Sequence, residues 1–423
     1  MNRNLCQEIT GCLRVKGSAE EHLRRLRDFR PRDWETSLNW LHLSGIALVF
    51  WDRLQSLGAE DAVPPRVRAG LAANLTDHCL RIEAMRQEFD SLNHQFERAE
   101  IDYAVWKGFA LIPEYCPDAC LRPTYDYDYL ISGDDQIRAQ DMLQAAGYFQ
   151  KPEQGVAHHV TFVYPSVVSQ PSYRPEGLYA ANLPRKVELH LRLWDEKAFR
   201  IPLRVPERPL DRKLRRTWRG ISYYSLGEED ALVFQTLHTF QHILHNWCRL
   251  GWLWEIAYFL EQRSTDEPFW KRILAHLEGN DPLAELVALV LSLASTLFHA
   301  TLAAPVKDQI LGAMRRQLSL WVEQYGLSSA LDNFSENKYT LFLYREFARD
   351  EATWRQIRRS RLLPLHRPNR VAGAASPATS NLLPASWRQG WYVVERLIHH
   401  LVNGAGFVWE SARWNRFRRL GGD

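Results

Sequence analysis

The chain has 423 residues, 46% of them apolar and 24% charged. That is enough for two or three domains with a substantial core, and it excludes a mainly disordered, collagen-like or coiled-coil protein. A net charge of +3 does not by itself imply nucleic acid, although residues 331–423 hold 15 Lys and Arg against 8 Asp and Glu.

Residues 1–100 read as helical. DWETSLNWLHLSGIALVFWDRLQSLG carries helical spacing with Asp33 as its N-cap. A second helix follows from VPPRVRAG onward, its apolar positions Leu80, Ile82, Met85, Phe89, Leu92 and Phe96 stepping by three or four. The pattern changes at Ile101. IDYAVWKG is a short strand ended by Gly108, YDYDYLI is a second strand, and DDQIRAQDMLQAAGY is an amphipathic helix closed by Gly147. HHVTFVYP and KVELHLRLW are two more strands, separated by a Pro- and Gly-rich loop around 165–185. The expectation is an α+β protein in which a small mixed sheet, with helices on one face, is embedded in helical regions.

Helical periodicity resumes near Gly227 and runs through EEDALVFQTLHTFQHILHNWCRLGWLWEIAYFLEQR. The apolar stretch from Leu286 to Pro305 is expected to be a buried core helix; its Ser, Thr and His content argues against a transmembrane span. Residues 364–386 are a Pro/Ala/Ser linker. The regions expected are therefore 1–100 (helical), 101–226 (sheet-bearing core), 227–330 (helical) and 331–423 (basic, with the linker). Six scattered cysteines form no C-x-x-C pair, and the N-terminus has no long apolar run. A cytoplasmic location is the default expectation.

The chemistry gathers on two strands. Period-2 geometry points Asp126 and Asp128 to one face and Tyr127 and Tyr129 to the other. Adjacent carboxylates repel unless a cation lies between them, although a D-x-D pair on a solvated strand face is common. In KVELHLRLW the alternation sets Glu188, His190, Arg192 and Trp194 on one face. Three carboxylates from neighbouring strands suit Mg²⁺, or Mn²⁺ in its place, in phosphoryl chemistry. Lys107 is a point-charge phosphate ligand, and Gly108 behind it permits close backbone approach. Arg122 would clamp a triphosphate or pair with an aspartate.

The ordered set WKGFALIPEYCPDACLRPTYDYDYLI, then VELHLRLW, then LGEEDALVFQTLHTFQHILHNWCRLGWLWEIA resembles the uncharacterised nucleotidyltransferase family of bacteria. That family is a branch of the polymerase-beta-type superfamily. The resemblance implies that Asp126, Asp128 and Glu188 are catalytic metal ligands, with Lys107, Gly108 and Arg122 on the nucleotide side. It covers roughly residues 30–330. Glu255 stands where the family often has Asp, and tyrosines flank the aspartates where the family has small and aliphatic residues.

His190, Arg192, His238 and His242 are candidates for the acceptor pocket or for supporting the metal ligands. His238, His242 and His245 also share a helix face at zinc-like spacing, with Cys248 one turn on; buried structural histidines are the plainer reading. The implied activity is transfer of an NMP, by default AMP from ATP, to a hydroxyl of a small molecule, peptide, protein or RNA end, with release of pyrophosphate. A degenerate nucleotide-binding scaffold and a histidine-based metal hydrolase are the alternatives. The basic, aromatic tail is a weaker candidate for touching RNA or an anionic membrane.

Overall fold

The computed structural model describes residues 1–151, 159–164, 178–183, 185–332, 338–362 and 385–420. Most of the 165–185 loop and of the 364–386 linker lies outside these residues. The chain divides into two compact units. The first comprises residues 1–199, 203–242 and 248–314; the second comprises 200–202, 243–247 and 315–423.

The first unit carries helices α1 (Arg3–Cys12), α2 (Glu20–Leu26), α3 (Pro31–Leu43), α4 (Ala47–Ser56), α5 (Pro65–Arg98), α6 (Gln136–Ala145), α7 (Glu196–Phe199), α8 (Glu228–Leu244, entering the second unit at its end), α9 (Leu250–Gln262), α10 (Glu267–Leu277) and α11 (Asp281–Phe298). Its strands are β1 (Tyr103–Val105), β2 (Asp126–Ile131), β3 (Phe149–Gln150), β4 (His159–Val163), β5 (Lys186–His190), β6 (Leu214–Trp218) and β7 (Ile221–Ser225).

Among the described residues these strands form one mixed sheet in the order β3-β4-β5-β2-β1-β7-β6. The pairs β2/β5 and β1/β7 are parallel and the others antiparallel. The sheet takes in strands beyond the four expected. The β6–β7 hairpin was missed, because LRRTW hides its alternation behind charges. Its signal was the Arg219-Gly220 turn, where both residues take positive φ.

Helices stand on both faces of the sheet, where packing on one face was expected. On one face α5 brings Phe89 within 6.3 Å of Tyr127 and Phe96 within 4.5 Å of Tyr129, measured between ring centroids. Met85, Phe89, Leu92 and Phe96 are buried as the spacing predicts, but Leu80 is exposed. On the other face Trp106, which follows β1, meets His238 of α8 at 5.8 Å.

Two long periodic stretches break in two. The 33–58 stretch forms α3 and α4, separated at Gly45 (φ 74°). Gly251 donates its N–H to the Ser44 carbonyl at 2.9 Å, and a Cβ on Gly251 would lie 2.8 Å from the Gly45 carbonyl oxygen. The break and the start of α9 therefore need each other's glycine. Asp33 is not the N-cap. It sits at the third helical position and accepts from the Arg30 N–H at 3.0 Å. The second break separates α8 from α9 at Asn246, which has φ 55°.

Helix α11 is apolar and long enough by composition to cross a membrane, yet most of it is buried and it packs against α9. The second unit is mainly helical in its described part. Tyr325, Phe342 and Trp414 form its aromatic centre, with ring centroids 5.2 to 5.6 Å apart. Its long helix Ala385–Leu420 also exposes Leu401 and Trp409.

Candidate active site

Strand register builds the site. β2 and β5 run parallel with Asp128 directly opposite Glu188 and Asp126 opposite Lys186. Residues opposite one another in a ladder share a face, and so do residues two apart. Asp126, Asp128, Lys186, Glu188 and His190 therefore project to one side. Tyr127, Tyr129, Val187 and Leu189 project to the other, into the apolar core under α5.

Asp128 is the hub. Its Oδ1 lies 2.8 Å from Lys107 Nζ and 3.0 Å from His190 Nε2. His190 Nε2 is farther, 3.7 Å, from Glu188 Oε2. Lys107 reaches Asp128 from the turn after β1, where Gly108 takes φ 62° and lets the chain leave the strand sharply. The ammonium also lies 4.4 Å from the Trp106 ring centroid.

Electrostatics separate the carboxyl groups. Burial raises the Asp128 pKa, but Lys107 and His190 outweigh it and hold that carboxyl well below the usual range. Burial and the Asp128 charge push Asp126 up. Burial, Asp126 and Asp128 push Glu188 up to about 8. Burial opposes the charge on Lys107, yet Asp128, Asp126 and Glu188 together keep it above its ordinary value. Burial lowers His190 to about 4, so its imidazole is neutral near pH 7. With Asp128 ionised, the proton on the neutral ring belongs on Nε2, donated to Oδ1.

Among the described residues, one group of three metal-type ligands has its ligating atoms all within 4.8 Å of one another: Asp128, Glu188 and His190. Two carboxylates and an imidazole suit a divalent cation. The raised Glu188 and Asp126 are what crowded carboxylates show when positive charge is short. The donor set fits a metal. It differs from the expected trio in that His190 takes the place of Asp126 in the tight group, while Asp126 flanks it on the same strand face.

The other candidates are placed as follows. Arg122, expected at the phosphates or against an aspartate, pairs with Glu255 at 3.0 Å, both side chains buried. Its Nη1 also donates to Thr124 Oγ1 at 3.2 Å. Gln235 Nε2 donates to the other Glu255 oxygen at 3.2 Å. Arg192 lies outside the site group: β5 ends at His190, so the expected alternation through Trp194 stops short and Arg192 sits exposed in the turn. His238 and His242 lie 4.6 Å apart by ring centroids, with Trp252 4.6 and 4.5 Å from them. They do not belong to the metal-type group, nor do His245 and Cys248. Burial, reinforced by Lys107, drives the His238 pKa well down.

Two neighbours were missed. Trp106 stands edge-on to both His190 (5.2 Å) and His238. Lys186 partly offsets the carboxylate charge on Asp126 and Glu188. The second was within reach of the alternation, since Lys186 precedes Glu188 by two.

This geometry lies within the stretch that defines the protein's class. The model of the uncharacterised nucleotidyltransferase family matches residues 30–299, and the chain belongs to that family. No curated protein and no solved structure matches it.

Proposed function

We propose that the protein is a polymerase-beta-type enzyme that transfers an NMP from an NTP to an acceptor hydroxyl. The acceptor oxygen forms a bond to the α-phosphorus, the bond from that phosphorus to the bridging oxygen breaks, pyrophosphate leaves, and the hydroxyl proton is lost. ATP is the default donor on cellular abundance alone. The observation that carries this reading is the in-register pairing of Asp128 with Glu188, with Asp126 on the same face. Divalent ions, Mg²⁺ or Mn²⁺, held by Asp126, Asp128 and Glu188 would neutralise the triphosphate and acidify the attacking hydroxyl.

The chain's own residues have separable tasks. Lys107 and the Gly108 backbone meet the phosphates. His190 orients Asp128 through its Nε2–H. His238, whose buried Nδ1 has no hydrogen-bond partner among the described residues, and His242 face the acceptor. Arg122, tied to Glu255, holds the segment before the aspartates in place. The acceptor itself is a small molecule, a peptide, a protein or an RNA end.

The test is incubation with α-labelled and γ-labelled NTPs, divalent cation, and separate protein, RNA and small-molecule fractions. Label from the α position should appear in one fraction together with pyrophosphate. Transfer of the γ label, or release of inorganic phosphate alone, would contradict the reading. One observation favours a second reading. Lys107 already neutralises Asp128, as a nucleotide-binding scaffold without metal chemistry would require. Full nucleotide binding in EDTA with no transfer in any fraction would support that alternative.

A further inference from the structure

Lys107 holds the ground that a divalent cation needs. Its Nζ is 2.8 Å from Asp128 Oδ1, and His190 Nε2 is 3.0 Å from the same oxygen. Asp128 belongs to the Asp128–Glu188–His190 ligand group. An ammonium has three donors and no lone pair, so it cannot join a coordination shell. A metal bound to this carboxylate at Mg²⁺ distance, roughly 2.1 Å, would share it with a unit positive charge. The two cations compete for one carboxylate.

The lysine has somewhere else to go only if an anion is present. Its side chain is largely buried, with 13% exposed. The Trp106 ring at 4.4 Å offers a face but no negative charge. Among the charged groups facing it, Glu188 belongs to the same ligand group and Asp126 flanks that group on the same strand face, so both would also be drawn to the metal. A polyphosphate brings both the metal and a new partner for the ammonium, and the flexible four-carbon stem allows the exchange.

We propose that Lys107 is the counter-cation of Asp128 and releases it to a divalent metal only when the metal arrives with a polyphosphate. The proposal rests on the nucleotidyltransferase reading and adds to it an order of binding. Metal and nucleotide enter together, and each strengthens the other's binding by the same factor. The site thereby resists free divalent cations and is charged by the substrate complex.

The test is titration of Mn²⁺ alone, at fixed pH, into wild type, Lys107→Met and Lys107→Arg, followed by calorimetry or by the spin resonance of free Mn²⁺. Far-UV circular dichroism verifies each fold, and Lys107→Gln replaces Lys107→Met if the latter does not fold. Removing a unit charge at contact distance in a partly screened site should tighten Mn²⁺ binding by at least about tenfold. Lys107→Met should therefore bind Mn²⁺ alone that much more tightly than wild type, and Lys107→Arg no more tightly than wild type. With an α,β-methylene triphosphate present, Lys107→Met should lose most of this advantage. Equal Mn²⁺ affinity in wild type and Lys107→Met overturns the proposal, as does Lys107→Arg behaving like Lys107→Met. If the triphosphate still binds wild type in a Mn²⁺-dependent way, only the lysine exchange has failed. If neither Mn²⁺ nor the triphosphate binds wild type, alone or together, the nucleotidyltransferase reading fails with it.

Discussion

The two faces of β2 are buried to similar depth and are built on opposite principles. On one, Tyr127 and Tyr129 pack against Phe89 and Phe96, and Tyr127 Oη donates to Glu88 Oε2 at 2.7 Å. Glu88 also takes Tyr148 and Arg185, so the Tyr127 hydroxyl sits in a partnered polar cluster, whereas the Tyr129 hydroxyl is buried without a hydrogen-bond partner among the described residues. On the other face, Asp126, Asp128 and Glu188 crowd together with one lysine in contact. Two of those carboxyls are driven up in pKa by burial and by their neighbours. One face supplies stability; the other stores an electrostatic deficit that a bound cation would relieve. Function belongs where the second pattern occurs, because a group arranged purely for stability would not be left short of charge.

The sharpest way to break this contrast is to empty each face in turn. Phe96 is fully buried and stacked on Tyr129. Phe96→Ala should cost about 3–5 kcal/mol in denaturant unfolding, while activity per folded molecule is kept. A loss under about 1 kcal/mol would remove the assigned role of the aromatic face.

Asp128→Asn should do the reverse. Transfer should fall on the order of 100-fold or more, as when other preorganised charge-stabilising groups are removed, or about 2.7 kcal/mol of barrier. Unfolding free energy should fall by less than in Phe96→Ala, because Lys107 loses the charge of its contact partner but still faces Asp126 and Glu188. A variant that is active but unstable would invert the comparison.

Tyr127→Phe removes only the hydroxyl, which lies within hydrogen-bond reach of Glu88 and of the Met85 carbonyl, and should cost about 1 kcal/mol with little change in activity. Glu88 keeps Arg185 and Tyr148 as partners, which limits the loss. A change in transfer rate larger than the change in stability would mean that the faces are coupled across the strand.

Much of this contrast was legible in the sequence. Period-2 spacing separated Asp126 and Asp128 from their tyrosines, and Glu188 and His190 from Val187 and Leu189. Chain order made β5 a plausible neighbour of β2, and the register sets Asp128 opposite Glu188. What was not legible depends on contacts distant in sequence or on where an element stops. The Arg122–Glu255 pair joins a turn to α9 across 133 residues, and no local pattern encodes it. Arg192 looked aligned with Glu188 only while β5 was extended past His190. The Lys107–Asp128 contact joins the turn after β1 to β2, and no local spacing encodes that pairing.

The most direct measurement is calorimetric binding of an α,β-methylene triphosphate to wild type and to the Asp126→Asn/Asp128→Asn double variant, each with Mn²⁺ and with EDTA. The account predicts that wild type binds the triphosphate at least about tenfold more tightly with Mn²⁺ than with EDTA, a difference of about 1.4 kcal/mol. The folded double variant should lose that difference. Equal wild-type affinity with Mn²⁺ and with EDTA, or a double variant that keeps the full metal-dependent gain, would contradict the claim that this carboxylate face is a cation-dependent nucleotide site.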